Sequence, residues 1–244
     1  MENNSQILKV ENLSVFLDKE RVIDDLSFYV NKGDSVAIIG PNGAGKTTLF
    51  RALMGMIPYS GGIEWRKGIK IGYVPQRMEI ETDIPLSVRE FLHLRQNEDL
   101  SEEKIIGAVK SVLLPEGILD SGLGEISVGQ RQRILIAWAL LGKPEMLLFD
   151  EPTADIDISG QESVYHLLHH LQGAYNLTMI LISHDLNIVY QYANQVLCLN
   201  RKKVCFGPPR EMLNPEQIQK LYGGERAFYQ HLHLEKEHKH EHGH

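Results

Sequence analysis

Apolar and polar residues follow two rhythms along this chain, and the switch between them marks its parts. Over residues 6–40 the apolar positions alternate or run together as in strands, over 7–10, 13–17, 22–23 continuing through 26–30, and 35–39. The last of these, Ser35-Val36-Ala37-Ile38-Ile39, is apolar and β-branched enough to read as a buried strand, and Asn31-Lys32-Gly33-Asp34 is the turn before it. A helix is expected from the following glycine-rich turn to about residue 55, then short strands over 63–65 and 69–74. Between about 77 and 128 apolar residues recur at helical spacing over 87–95 and 101–114, with Ser87 and Ser101 placed as N-caps, so this stretch reads as a small helical insert. Beyond 129 helix and strand alternate, over 130–141, 146–149, 159–171 and 177–182. That alternation implies a parallel sheet flanked by helices. A closing hairpin over 196–199 and 203–206 and a short helix over 215–222 complete the pattern, and residues 225–244 form a polar, histidine-rich tail.

Composition narrows the function classes. With 244 residues, 43% hydrophobic and 23% charged, the chain can bury a sizeable core in one large domain with a subdomain. A formal net charge of −7 argues against a general nucleic-acid binder, which needs a basic face. There is no run of 18 apolar residues to span a membrane, and the start, MENNSQILKVENLSVFL, lacks the basic and apolar regions of a signal peptide. Cys198 and Cys205 sit in apolar runs and read as buried reduced thiols, which suggests a cytoplasmic protein.

Candidate chemistry concentrates in residues 40–48, Gly-Pro-Asn-Gly-Ala-Gly-Lys-Thr-Thr, which fit the phosphate-loop pattern G-x-x-x-x-G-K-[ST] between a strand and a helix. Gly40, Pro41, Asn42, Gly43, Ala44, Gly45, Lys46, Thr47 and Thr48 are the candidate nucleotide-binding residues. Backbone N–H groups and a helix N-terminus make an anion site there. Lys46 is expected to reach the β- and γ-phosphates of ATP and Thr47 to ligate Mg²⁺. A second apolar strand, 146–149, ends in Asp150 and Glu151. Beside a phosphate loop such a strand delivers an acid to Mg²⁺, a role that fits Asp150. Strand alternation turns Glu151 to the other side, where it can act as general base on the attacking water.

With these motifs in place, the chain resembles the nucleotide-binding subunit of an ABC transporter over about residues 6–225. Tyr73-Val74-Pro75-Gln76 resembles the family's Q-loop, Ile126-Ser127-Val128-Gly129-Gln130-Arg131-Gln132-Arg133 its signature segment, Ala154-Asp155-Ile156-Asp157 its D-loop, and Ile182-Ser183-His184-Asp185 its switch histidine. The resemblance implies an α/β P-loop NTPase of ABC type, with a mixed or parallel core sheet, an N-terminal antiparallel β subdomain and the helical insert at about 77–128. It implies that Gln76 contacts Mg²⁺ and the lytic water, and that His184 touches the γ-phosphate and Glu151. Ser127, Gly129, Gln130 and Asp157 are then expected to complete the site of the opposite subunit in a two-fold homodimer.

Two positions depart from the family pattern. Val128 stands where a first glycine is usual; either it has an ordinary φ or the loop is distorted. Leu17 stands where an aromatic residue usually stacks on adenine; either Phe16 substitutes through a one-residue shift, or adenine packs on aliphatic surface.

Segments outside the catalytic motifs, Ile71-Gly72-Tyr73-Val74-Pro75-Gln76, Ile84-Pro85-Leu86-Ser87-Val88 and Val196-Leu197-Cys198-Leu199-Asn200, are similar to the ATPase of bacterial zinc-uptake importers, and manganese and iron importers share much of them. That likeness implies a peripheral position on the cytoplasmic side of the membrane, an integral membrane permease as partner, and a periplasmic or lipid-anchored metal-binding protein in the same system. A non-transport ABC ATPase is the alternative from another class. In the tail over 226–244, His231, His233, His238, His240, His242 and His244 offer six imidazoles suited to Zn²⁺.

Overall fold

The computed structural model describes residues 5–76, 85–95, 100–152 and 156–223. The N-terminal strands form a three-stranded antiparallel sheet, with β1 (Gln6–Leu17) between β2 (Glu20–Asn31) and β4 (Ser60–Trp65). β1 is one strand where the sequence pattern suggests two. The break in periodicity at Glu11-Asn12 is a bulge: Asn12 has φ +49° and faces Asp25 at φ +53° on β2. The Asn12 side chain donates to the Asp25 carboxylate at 2.8 Å, and its backbone N–H donates to Ser27 Oγ at 2.9 Å. The bulge keeps the strand continuous while shifting its register.

The second sheet holds β5 (Ile71–Val74), β6 (Met146–Phe149), β7 (Thr178–Ile182), β3 (Ser35–Ile39), β8 (Gln195–Asn200) and β9 (Lys202–Gly207), in that spatial order. The first five strands pair in parallel and β9 closes the edge antiparallel. Side-chain alternation divides this sheet between two cores. Val36, Ile38, Met146, Leu148, Ile180 and Ile182 pack toward the antiparallel sheet and α1 (Lys46–Leu53). Their neighbours Ala37, Ile39, Leu147, Phe149, Met179 and Leu181 pack toward the remaining helices. Strands covered on both faces must be apolar throughout, which is why β3, β6 and β7 are buried at every position.

The insert carries α2 (Val88–His93), α3 (Glu102–Ser111) and a 3-10 turn (Glu116–Asp120), followed by α4 (Val128–Leu141). Ser87 and Ser127 both close capping boxes, with Glu90 and Gln130 respectively. Arg133 on α4 fastens the insert to the core: its guanidinium donates to the Val112 carbonyl at 2.8 Å and to Ser163 Oγ at 2.7 Å. Ser163 lies on α5 (Ile158–Tyr175). After it come α6 (Leu186–Tyr192), α7 (Pro209–Met212) and α8 (Pro215–Tyr222). Among the described residues no helix is long and apolar enough to cross a membrane.

Cys198 and Cys205 are a correction to the sequence reading. They face each other across β8 and β9 with Cα atoms 4.8 Å apart and form a disulfide. The hairpin turn between them places two apolar-run cysteines in register, within bridging reach. Thiol burial therefore gives no argument for a reducing compartment.

Candidate functional site

Parallel pairing brings the C-terminal ends of β5, β6, β7 and β3 to one edge of the sheet, and each of those ends releases a candidate residue. Gln76 follows β5, Asp150 and Glu151 follow β6, Ser183 and His184 follow β7, and the phosphate loop follows β3. Gln76, Glu151, His184, Val22 and loop residues Asn42 to Thr48 line one cavity of about 650 Å³, with Asp150 and Ser183 buried behind it. Open α/β sheets bind ligands at this edge.

The loop's conformation depends on glycine at two places. Gly45 has φ +97° and opens α1, where no side chain caps the first N–H groups. At Gly40, an added Cβ would lie 2.0 Å from the Leu199 carbonyl oxygen, so only glycine lets the loop pass β8. The Arg201 backbone N–H also donates to the Ala44 carbonyl at 3.1 Å, tying the loop to the β8–β9 turn. Lys46 is 6% exposed, and its ammonium donates to the Gly40 and Pro41 carbonyls at 2.9 and 3.1 Å. Burial lowers its pKa from the ordinary lysine value, against the opposing charges of Glu151 and Asp150.

Asp150 is buried and held from two sides. Thr47 Oγ1 donates to Oδ1 at 3.3 Å and Tyr73 Oη to Oδ2 at 3.4 Å. Burial and the Glu151 charge push its pKa up, against the pull of those two hydroxyls. The same environment pushes the Tyr73 phenol up to about 12, with burial first and the Asp150 charge next. Tyr73 stands inside the Tyr-Val-Pro-Gln segment, yet nothing in the sequence pairs it with Asp150. The pairing comes from β5–β6 register, in which Tyr73 lies beside Leu148.

Glu151 is not turned by strand alternation, as the sequence suggests. β6 ends at Phe149, and Glu151 sits at φ +49°, a left-handed conformation that costs a non-glycine residue of order 1 kcal/mol or more. That backbone aims its carboxylate between two partners. His184 Nε2 lies 2.6 Å from Oε1, and Gln76 Nε2 donates to Oε2 at 3.2 Å. The hydrogen bond to His184 holds the Glu151 pKa below the ordinary carboxylate value despite partial burial. Asp185 caps α6, accepting from the Asn187 and Ile188 N–H groups, and so fixes the turn that presents His184.

Ser127, Gly129, Gln130 and Asp157 lie away from this cavity. Ser127 is the N-cap of α4 and Asp157 the N-cap of α5, its carboxylate accepting from the Gly160 N–H at 3.2 Å. Val128 is the first residue of α4, has no positive φ and is 49% exposed, so the loop is not distorted there. An added Cβ on Gly129 meets nothing within 4 Å in this chain. Phe16 is engaged by Arg21, whose guanidinium lies 5.0 Å from the ring centroid, whereas Val22 lines the phosphate-loop cavity. Ala154, Asp155 and the six tail histidines from His231 to His244 fall outside the described residues.

The chain is similar to known proteins along most of its length. The family model described as ABC transporter matches residues 23–154. The zinc import ATP-binding protein ZnuC of Ehrlichia chaffeensis is 40% identical over 220 residues, covering 90% of this chain and 90% of its own. ZnuC of Hydrogenovibrio crunogenus is 36% identical over 252 residues, 98% of each chain. The structure of cbiO1 from Clostridium perfringens, part of the ABC transporter complex cbiONQ, superposes with a TM-score of 0.75 at 28% identity, over 94% of this chain and 99% of that one. With the phosphate loop, the paired carboxylates and the switch histidine gathered on one sheet edge, the chain belongs to the ABC transporter family as an ATP-hydrolysing, nucleotide-binding subunit.

Proposed function

We propose that this chain hydrolyses ATP to power import of a divalent metal ion, zinc first, through a membrane-embedded permease, from the cytoplasmic face of the membrane. Likeness to zinc import ATP-binding proteins along nearly the whole chain is the observation that carries the cargo assignment. A metal-binding protein outside the membrane completes the system. Metal content of a deletion strain, measured under separate limitation for Zn²⁺, Mn²⁺ and Fe²⁺, tests it. A selective fall in zinc is expected, and a selective fall in manganese or iron would reassign the cargo.

Each site residue then has a role. The loop N–H groups and Lys46 bind the phosphates. Thr47, Asp150 and Gln76 supply hydroxyl, carboxylate and amide oxygens, a hard donor set that fits Mg²⁺. When bound, Mg²⁺ neutralises charge on the phosphate oxygens. Glu151 takes the proton of the attacking water, being an ionised carboxylate at neutral pH. His184 positions that carboxylate and contacts the γ-phosphate. Val22 and the exposed Leu17 offer adenine an aliphatic surface, because the Phe16 ring already carries Arg21. Gly129 and the capped start of α4 meet the partner chain's nucleotide, which explains a glycine with open space around it.

Tyr73 is a positioning residue for Asp150. Tyr73→Phe deletes one long hydrogen bond to a charged group, so apparent Mg²⁺ affinity should weaken about 2- to 5-fold with kcat at saturating Mg²⁺ near the parent value. A fall in kcat with unchanged Mg²⁺ dependence would contradict this role. For Val128→Gly, ATPase activity should be preserved or raised, since the valine occupies an ordinary helical position and its removal eases approach of the second chain. A large loss on that change would show that the valine is required.

The insert, about 77–128, docks the permease, and residues 79–90, of which 79–84 lie outside the described residues, are the first to vary in a co-purification test. The histidine-rich tail binds Zn²⁺ and leaves catalysis alone. Removing residues 231–244 should therefore reduce the zinc bound per chain in calorimetry while basal ATPase activity stays at the parent level. Equal zinc uptake by both chains would remove the tail from the zinc argument.

A further inference from the structure

A second group of metal-ligating side chains lies on α5, away from the catalytic edge. His166, His169 and His170 are all exposed on this 18-residue helix. The ring of His166 stands edge-on to Tyr192 at 5.8 Å and 82°, and that of His169 is tilted against the same ring at 5.9 Å. Tyr165 stacks on Tyr192 from the helix's buried side at 5.9 Å. Tyr192 ends α6, the helix that begins beside His184, so His166 and His169 border the seam between α5 and α6, and His170 is exposed one residue further along α5.

Helix geometry chooses among them. Residues three or four apart lie on one face, with Cβ atoms about 5–6 Å apart. Two imidazoles at that spacing can close on one ion at about 2.0–2.1 Å from each nitrogen. His166 has this relation to both His169 and His170, but the His169 ring is tilted against Tyr192, whereas His170 has no ring contact among the described residues and is the freer partner. His169 and His170 are neighbours, turned roughly 100° apart around the helix, and cannot share an ion. Glu162 is one turn before His166, but it stands about 12 Å of helix rise from His170, so it cannot join the same pair. This agrees with the absence, among the described residues, of any gathered set of three or more metal-ligating side chains. Tyr192 contributes packing, its ring meeting those of Tyr165, His166 and His169.

We propose that His166 and His170 form a two-imidazole clasp for a borderline divalent cation such as Zn²⁺, Ni²⁺ or Cu²⁺, with water completing the coordination shell. Two neutral nitrogens select such ions over Mg²⁺, which prefers oxygen. The clasp shares no residue with the catalytic magnesium ligands or with the tail. It does not depend on which metal the transporter carries.

Calorimetry with Zn²⁺ on the full-length chain tests it, in a background whose six tail histidines are replaced by serine. One zinc equivalent is expected to remain in that background. His166→Gln or His170→Gln should each weaken it at least ~10-fold, since losing a ligand costs no less than losing a group that orients one. His169→Gln should leave it in place. Parent-level Mg-ATPase activity in all three variants shows that the fold survives, because none of these residues lies in the catalytic machinery. Unchanged zinc binding in the His166→Gln/His170→Gln double variant would overturn the clasp. Loss in His169→Gln with retention in His170→Gln would overturn the pairing. Mg²⁺ competing with Zn²⁺ at equal concentration would overturn the ligand class.

Discussion

Replacing Glu151 by glutamine should abolish turnover while leaving ATP bound. The change keeps the size and hydrogen-bonding capacity of a side chain that meets His184 at 2.6 Å and Gln76 at 3.2 Å. It removes the negative charge and the basicity. A general base contributes about 10²- to 10⁴-fold, so kcat should fall by at least ~10². Binding should hold or tighten, for a physical reason visible in the site. The Glu151 charge pushes up the pKa of Asp150 beside it, and the same charge repels the phosphates of a bound nucleotide. Without it the two-chain, ATP-bound state should accumulate, seen as a dimer in size-exclusion chromatography with ATP and Mg²⁺. Hydrolysis at the parent rate would show that another group takes the proton. Loss of His184 should act through geometry. Its hydrogen bond is the main cause that lowers the Glu151 pKa, and without it that pKa rises toward the ordinary carboxylate range, where the group is still ionised at neutral pH.

Mixing two inactive chains should restore activity. The phosphate-loop cavity contains no residue of the Ser127–Gln130 segment, so that segment must serve the partner's nucleotide if it serves one at all. Lys46→Ala removes the buried ammonium of the loop. Ser127→Arg removes the N-cap of α4 and places a bulky cation at the helix start, where the partial charge is already positive. A mixed dimer then has one site with both defects and one with neither. ATPase activity of the mixture should exceed that of either variant alone, approaching half of a wild-type dimer's activity in the mixed species. No gain, with mixed dimers demonstrated by differential tagging, would mean that each chain's site is self-contained.

Local signals explain what the sequence revealed and what it concealed. The phosphate loop was legible because one contiguous segment carries its glycines, its lysine and the helix that follows. β3 and β6 were legible to the residue because burial on both faces leaves no polar interruption. Strand order was not, since nothing local says that β7 lies between β3 and β6, although that placement is what brings His184 to Glu151. α6 escaped notice because Leu-Asn-Ile-Val-Tyr-Gln-Tyr is rich in β-branched and aromatic residues. It is helical through its Asp185 cap and the burial of Ile188 and Val189. The bulge at Asn12 and the register of Cys198 with Cys205 are likewise products of pairing between strands. Val128 shows the reverse case, where the family pattern raised a difficulty and a helical φ with a capping box removed it.

ATP hydrolysis at this site should drive metal import. Initial rates of radioactive Zn²⁺ uptake under zinc limitation test it most directly, in a strain lacking this chain and complemented with either the wild type or Glu151→Gln at matched levels. The wild type should restore uptake and Glu151→Gln should not. Equal restoration by both would contradict it, because uptake would then proceed without hydrolysis at Glu151.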